Sequence, residues 1–294
     1  MTEFVDPRYK QIDIWPTRTA LAALWESQLA AVAAIEPALE SLSKAVDLAV
    51  ARLSKSETGR LAYTGAGTSI RVAVQDGTEL GPTFDWPDAR TAYLVAGGQR
   101  ALMYSIEGAE DDFTDAIEQV VENCIGPDDV LVGVAASGYT PFTVAALKKA
   151  RVAGALTIGI ANNPGSPLLE EAEVSILVDT GAEVISGSTR MKAGSAQKIV
   201  LNMISTQVMV GLGRVYEGLM VEMRPANIKL RKRAVAMVQA IAGVTAAQAD
   251  SALEIADWKI KNAVLIASGE KPDDASEILK RSKGNLRTAL DRIR

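Results

Sequence analysis

Two short turns rich in glycine and hydroxyl side chains concentrate the chemistry of this sequence. Thr64-Gly65-Ala66-Gly67-Thr68-Ser69 and Ala136-Ser137-Gly138-Tyr139-Thr140-Pro141 each close an apolar run and open a stretch of helical character. Small residues let a backbone approach a ligand closely, free N–H groups point outward at the start of the next helix, and the hydroxyls of Thr68, Ser69, Ser137 and Thr140 add donors. A phosphate monoester suits such a pair of turns, although tight connections without a ligand use the same residues. The nucleotide motifs are incomplete: Ile70 stands where the dinucleotide fingerprint needs its third glycine, and no G-x-x-x-x-G-K-[ST] occurs. A third segment, from Ser186 to Lys198, offers Ser188, Arg190 and Lys192 ahead of a long apolar helix, which suits an anion.

Proton transfer in this chain falls to carboxylates, Lys, Tyr, hydroxyls or water, because there is no histidine. The same absence removes Ser-His-Asp and Cys-His catalysis and histidine-rich zinc sites, and the single Cys124 can form neither an intrachain disulfide nor a thiolate cage. Glu79 lies in an irregular stretch, Asp76 to Thr83, flanked by turn residues. Four carboxyls fall within Glu107-Gly108-Ala109-Glu110-Asp111-Asp112 near a helix start, where acids also complement the macrodipole. A histidine-free site needs two carboxyls in different environments, and Glu79 with one member of the cluster forms the natural pair.

These residues need a rigid frame, and 294 residues with 48% hydrophobic and 23% charged content suffice for one large α/β domain or a medium domain with a small one. β-branched runs at Leu61–Thr64, Tyr93–Ala96, Val130–Ala135, Leu156–Ile160 and Val174–Val178, separated by helical patterns, predict a doubly wound, mainly parallel five-stranded α/β sheet. Between two of them, Pro141–Val152 reads as a helix with Val144, Ala145 and Leu147 as its stripe and Lys148 and Lys149 in water. Thr19–Leu53 is Ala- and Leu-rich at helical spacing, one or two helices docked on the sheet or on a partner subunit. Residues 226–294 lack strand patterns and read as three or four short helices, with a capping box at Thr245–Gln248 and Pro272 in a first turn. The expected organisation is an N-terminal helical segment (1–55), a doubly wound α/β domain (56–225) and a small all-helical C-terminal domain (226–294).

Charge divides at the same place. Residues 226–294 carry 13 Lys+Arg against 8 Asp+Glu, whereas the chain as a whole has a formal charge of −5. The run Lys229–Arg233 reads as a solvated helix face, and few aromatic residues (5%) are present to stack bases, so no nucleic-acid partner is expected. No run of about 18 uncharged apolar residues spans a membrane. Glu3 and Asp6 do not resemble a secretory signal. The expectation is a cytoplasmic protein.

Taken together, Thr-Gly-Ala-Gly-Thr-Ser at 64–69, Glu-Gly-Ala-Glu-Asp at 107–111, Ala-Ala-Ser-Gly at 135–138 with Thr140-Pro141, Asn163-Pro164-Gly165-Ser166, and Arg190-Met191-Lys192-Ala193-Gly194 through Gln197-Lys198 resemble the N-acetylmuramic acid 6-phosphate etherases, of the sugar-isomerase (SIS) fold group. The resemblance covers nearly the whole chain. It implies a lyase, needing no metal or other cofactor, that cleaves the D-lactyl ether of a phosphorylated amino sugar to N-acetylglucosamine 6-phosphate and D-lactate, as a homodimer. The family's proton donor falls on Glu79 and its second catalytic acid on Glu110. Substrate binding is expected at Gly67, Thr68, Ser69, Ser137, Gly138, Thr140, Ser188, Arg190 and Lys192.

The sequence departs from the family pattern at Ile70, where the family has glycine, at Leu80-Gly81 in its Ser-Glu-Cys-Pro-Pro-Thr stretch, and at Tyr139, where it has a basic residue. These positions are expected at the pocket, where the bulk of Ile70 would reshape the loop or shrink the site. The alternatives are a related sugar-phosphate isomerase, an etherase relative with a different 3-O-substituent, and a non-catalytic phosphosugar sensor like the glucokinase regulatory proteins. Retention of both glutamates favours an enzyme.

Overall fold

The computed structural model describes residues 2–293, which form two compact units. One comprises the residues through Gly77 together with Ala89–Ser205; the other comprises Thr78–Asp88 together with the residues from Thr206 onward. In chain order the elements are α1 (Thr17–Ala33), α2 (Leu39–Leu53), β1 (Leu61–Gly65), α3 (Gly67–Thr78), α4 (Leu80–Phe84), β2 (Thr91–Val95), α5 (Phe113–Glu122), β3 (Val130–Ala135), α6 (Pro141–Val152), β4 (Leu156–Ala161), α7 (Pro167–Glu171), β5 (Val174–Leu177) and α8 (Lys192–Gly211). They are followed by α9 (Ile228–Ala242), α10 (Ala246–Ile255), α11 (Ile260–Ala267), α12 (Pro272–Arg281) and α13 (Leu286–Ile293).

All five strands of the first unit pair in parallel in the order β2-β1-β3-β4-β5. β1, β3 and β4 are buried at every position, as their unbroken apolar runs require when both sheet faces are covered. Ala62, Leu94, Leu131 and Ala135 join Ala116, Val120, Phe142, Ala146 and Leu168 of α5, α6 and α7 in one core. The alternate residues Val130, Val132 and Val134 point the other way, and α2 packs over β3, β4 and β5. Gly133 and Gly159 are register partners on β3 and β4. A β-carbon at Gly133 would come within 2.9 Å of Leu147, and one at Gly159 within 2.8 Å of the Leu168 carbonyl, so the pair allows α6 and α7 to lie close on the sheet.

Helix α6 runs over the predicted residues, but its buried stripe is Phe142, Ala146 and Ala150 with Thr143 and Leu147, while Val144 and Ala145 stay half-exposed. Spacing of i, i+4, i+8 from Phe142 points at the sheet, and the small alanines there permit close packing.

The second unit is helical from Ile228 on, with five helices rather than three or four. Its core gathers Val221, Val238, Leu253, Ile260, Val264, Leu279, Leu286 and Leu290. Its last four helices are two copies of one motif. α10 and α12 begin at 246 and 272, each ten residues long, and α11 and α13 begin at 260 and 286, each eight residues long. Left-handed pairs, Asp257-Trp258 and Lys283-Gly284, occupy the equivalent turns. Equivalent apolar residues (Ala249 and Ala275, Leu253 and Leu279, Ile260 and Leu286) are buried in both copies, as a helical hairpin too small to bury its own face requires.

Candidate active site

Strand order reverses between β1 and β3, and both hydroxyl-rich turns leave the carboxyl ends of those neighbouring strands, where open α/β sheets form a ligand crevice. In the first turn Gly67 has φ +53° and opens α3, with Thr68 half-buried and Ser69 buried. A β-carbon at Gly194 would lie 3.2 Å from Thr68 Cγ2, so the start of α8 adjoins this turn. Ile70 does not enter the pocket. Its side chain is completely buried, 3.4 Å from where a Gly65 β-carbon would lie, and it does not line the cavity beside this turn.

In the second turn Gly138 takes φ +72°, and a β-carbon there would stand 2.1 Å from Ser166 Oγ. The Tyr139 N–H donates to Ser137 Oγ (3.1 Å), and Leu168 N–H donates to the Gly138 carbonyl (3.0 Å). Thr140 is the N-cap of α6 but its hydroxyl makes no capping bond, so it is available to a ligand. Asn163 ties this edge to the chain's beginning: its Nδ2 donates to Thr2 Oγ1 (3.1 Å) and its Oδ1 accepts from Thr2 N–H (2.9 Å). Tyr139 is exposed and borders an apolar groove with Phe113, Ile117 and Val144.

Separate tasks fall to members of the acidic cluster. Asp112 caps α5, accepting from the N–H groups of Thr114 and Asp115. Glu107 and Glu110 instead line a cavity of about 330 Å³ together with Ala66, Gly67, Arg71 and Tyr104. One of the phosphate-type turns and the glutamate expected to move a proton therefore share one concavity. Arg71 holds the wall of that cavity, its Nε and Nη2 donating to the carbonyls of Ala101, Leu102 and Tyr104 at 2.8–3.2 Å.

Glu79 belongs to the second unit, where it stands exposed at the N-cap position of α4 with no capping bond of its own. At the far end of α4, Asp85 adopts φ +51° and ion-pairs with Arg224. Arg214 Nη1 donates to the carbonyls of Phe84 (2.6 Å) and Asp85 (2.9 Å), and its guanidinium lies over the buried Trp86 ring. Leu80 and Gly81 are both buried.

The start of α8 already holds an anion. Glu183, only 1% exposed, accepts from the N–H groups of Lys192 and Ala193 (2.9 Å each), so the chain's own carboxylate complements that helix terminus. Lys192 is 6% exposed and its Nζ donates to the Thr180 carbonyl (2.9 Å). Burial draws the Lys192 ammonium below its ordinary value against the opposing pull of Glu183. Ser188 is half-buried and Arg190 is exposed to solvent.

Sequence reasoning missed Arg71, Glu183 and Asp76. Asp76 is buried, bonded to Tyr63 (3.4 Å) and Asn202 (3.2 Å), and burial raises its carboxyl above the usual range despite those bonds. Arg71 carried a legible signal, since it is the one charge in the first two turns of a helix that opens at a phosphate-type turn. Glu183 and Asp76 carried none. Among the described residues no group of three or more His, Cys, Asp or Glu is placed to hold a metal ion, and no helix is long and apolar enough to cross a membrane.

The chain is similar over nearly its whole length to proteins named N-acetylmuramic acid 6-phosphate etherase. It is 47% identical over 290 residues to that of Deinococcus radiodurans, covering 98% of this chain and 94% of the relative. It is 40% identical over 291 residues to that of Yersinia pestis, covering 99% and 98%. Residues 41–151 match the family described as glucokinase regulatory protein N-terminal SIS domain. Among solved structures, a putative phosphosugar isomerase involved in capsule formation from Bacteroides fragilis superposes with a TM-score of 0.53 at 21% identity, over 69% of this chain and 95% of that one. A phosphoheptose isomerase from Francisella tularensis gives 0.52 at 15% identity, over 66% and 98%. These two likenesses are of fold, the SIS-type parallel sheet.

Proposed function

Because the chain belongs to the N-acetylmuramic acid 6-phosphate etherase family, we propose that it is a carbon–oxygen lyase that removes D-lactate from N-acetylmuramic acid 6-phosphate and leaves N-acetylglucosamine 6-phosphate. The observation that carries this reading is the cavity in which Glu110 meets the Ala66-Gly67 turn, a carboxylate beside a cradle for an anionic sugar.

In the open-chain sugar the C1 aldehyde acidifies the proton on C2. Glu110 takes that proton, the C2–H electrons form the C2–C3 double bond, and the C3–O bond to lactate breaks. Glu79 gives a proton to the departing lactate oxygen. Water then adds across the unsaturated aldehyde, its oxygen to C3 and a proton to C2. Carboxylates of this kind each contribute on the order of 10²- to 10⁴-fold. The phosphate is read onto Ser137 and Thr140 with Thr68 and Ser69 as the other wall, where small residues and helix starts favour an anion. Gly67 and Gly138 supply the close backbone approach, and Ser188 and Arg190 border the site from the α8 side, whereas Lys192, its Nζ bonded to the Thr180 carbonyl, braces that edge without meeting the ligand.

The working form is a homodimer in the cytoplasm. Leu21, Trp25, Leu29 and Val32 form one exposed stripe on α1, whose opposite face is already buried through Ala23, Ser27 and Ala31. A helix apolar on both sides calls for a second cover, and a copy of the same stripe supplies it with two-fold symmetry.

The deciding experiment is incubation with N-acetylmuramic acid 6-phosphate followed by an enzymatic assay for D-lactate. Lactate in amounts equal to the substrate consumed supports the etherase reading. The match at residues 41–151 favours one other reading, a phosphosugar sensor; tight binding of the sugar phosphate with no lactate released would establish that instead.

A further inference from the structure

Arg71 is a half-buried cation without a counter-ion. Its Nε and Nη2 are committed to the neutral backbone carbonyls of Ala101, Leu102 and Tyr104, which orient the guanidinium without neutralising it. Among the described residues no carboxylate lies within ion-pairing distance of Arg71, and its Nη1 donates no hydrogen bond. The side chain lines the same cavity as Glu107 and Glu110. A planar guanidinium held from behind, with one edge uncommitted beside a concavity, is arranged to receive an anionic oxygen.

The substrate of the proposed reaction brings two anions. Its phosphate, on C6, is read onto the glycine and hydroxyl turns. The other is the carboxylate of the lactyl group, whose ether oxygen is bonded to C3, next to the C2 whose proton Glu110 takes. An anion only a few bonds from the reacting carbons falls within reach of a cation that shares a cavity with Glu110. That cavity also needs a positive charge, because two glutamates alone would repel a carboxylate. Lys192 is committed elsewhere, its ammonium buried against the Thr180 carbonyl.

We propose that Arg71 recognises the lactyl carboxylate through Nη1 and so restricts the enzyme to 3-O-substituents that carry a negative charge. This rests on the etherase reading. The test compares N-acetylmuramic acid 6-phosphate with its lactyl amide, isosteric and neutral, on the wild-type enzyme, Arg71→Gln and Arg71→Lys, alongside calorimetric binding of N-acetylglucosamine 6-phosphate, which lacks the lactyl group.

Wild type should favour the free acid on the order of 10- to 100-fold in kcat/KM. Arg71→Gln should lose most of that preference, mainly through KM for the acid, while binding N-acetylglucosamine 6-phosphate as wild type does. Arg71→Lys should keep part of the preference. A wild-type enzyme that processes acid and amide equally would overturn the assignment whatever the variants do. An Arg71→Gln enzyme that retains the preference, or that weakens acid, amide and N-acetylglucosamine 6-phosphate alike, would also overturn it and leave Arg71 a support for the loop. No lactate from wild type and either substrate would refute the etherase reading itself, a result separable from the loss of preference alone.

Discussion

Arg214 donates a hydrogen bond of 2.6 Å to the Phe84 carbonyl, at the end of the same five-residue helix whose N-cap position is Glu79. A helix of five residues has little stability of its own. Its end is held by that bond, by a second to the Asp85 carbonyl (2.9 Å), and by the stacking of the guanidinium on buried Trp86. Arg214→Met is expected to cost about 2 kcal/mol of stability, the range for hydrogen bonds to a charged group, and to lower kcat more than it raises KM. Arg224→Met removes only an exposed ion pair on Asp85 and should leave kcat within about twofold. Thermal unfolding and steady-state kinetics on both variants check this; equal effects would show that Arg214 does not position Glu79.

Glu79 and Glu110 are asked to move protons rather than to hold the sugar. Glu79→Gln and Glu110→Gln should each lower kcat by at least about 10²-fold while leaving the affinity for N-acetylglucosamine 6-phosphate near wild type. Solvent-deuterium exchange at C2 of the recovered substrate separates the two roles. It should be lost along with turnover in Glu110→Gln, whereas Glu79→Gln should still exchange the C2 proton while releasing lactate far more slowly.

Arg60 and Asp129 form a partly buried ion pair at the amino end of the sheet (2.7 Å). Burial pushes the Asp129 carboxyl up, but hydrogen bonds from Arg60 and from the N–H groups of Gly126 and Arg60 outweigh it and hold it below the ordinary carboxylate value. A carboxyl depressed in the folded state stabilises the fold above its unfolded pKa, about 4, and that stability is lost as pH falls through the lower folded value. Asp129→Asn should therefore be about 1–3 kcal/mol less stable than wild type at pH 7, and the gap should close as the pH drops below about 4. Denaturant titrations at a series of pH values give the comparison; a gap independent of pH would mean the charge contributes nothing.

Trp25 and Leu29 are 63% and 52% exposed on the apolar stripe of α1. Replacing both with Glu should leave the fold intact, since neither packs in the core, yet convert a dimer to a monomer. Light scattering over a range of concentrations reads the mass. A wild-type protein already monomeric at working concentration would remove α1 as the dimer face.

The parallel sheet, its five strands and the two turns at its carboxyl edge were legible because each depends on local pattern. Apolar runs such as Val130–Ala135 bury on both faces, and glycines and hydroxyl residues mark the connections. The capping box at Thr245 and Gln248 was equally legible, being a contact between residues three apart. Less visible was the doubling of the last four helices, because few of its equivalent positions keep the same residue (Ala249 and Ala275, Leu253 and Leu279) and the rest share burial and turn conformation, with Trp258 standing opposite Gly284.

By itself the sequence determined which groups are available for catalysis, since a chain without histidine leaves proton transfer to carboxylates, Lys, Tyr, hydroxyls or water, and which backbone turns can cradle an anion. Only the tertiary structure decided how long-range contacts distribute those groups. It buried Ile70, which was expected to crowd the pocket, and brought Glu183 against the start of α8 to take the place of an outside anion. It also set Arg71 beside Glu110, residues 39 positions apart, in one cavity. Periodicity and composition describe neighbours along the chain, whereas these relationships arise when burial of apolar side chains brings distant segments together and each buried polar group must find a partner.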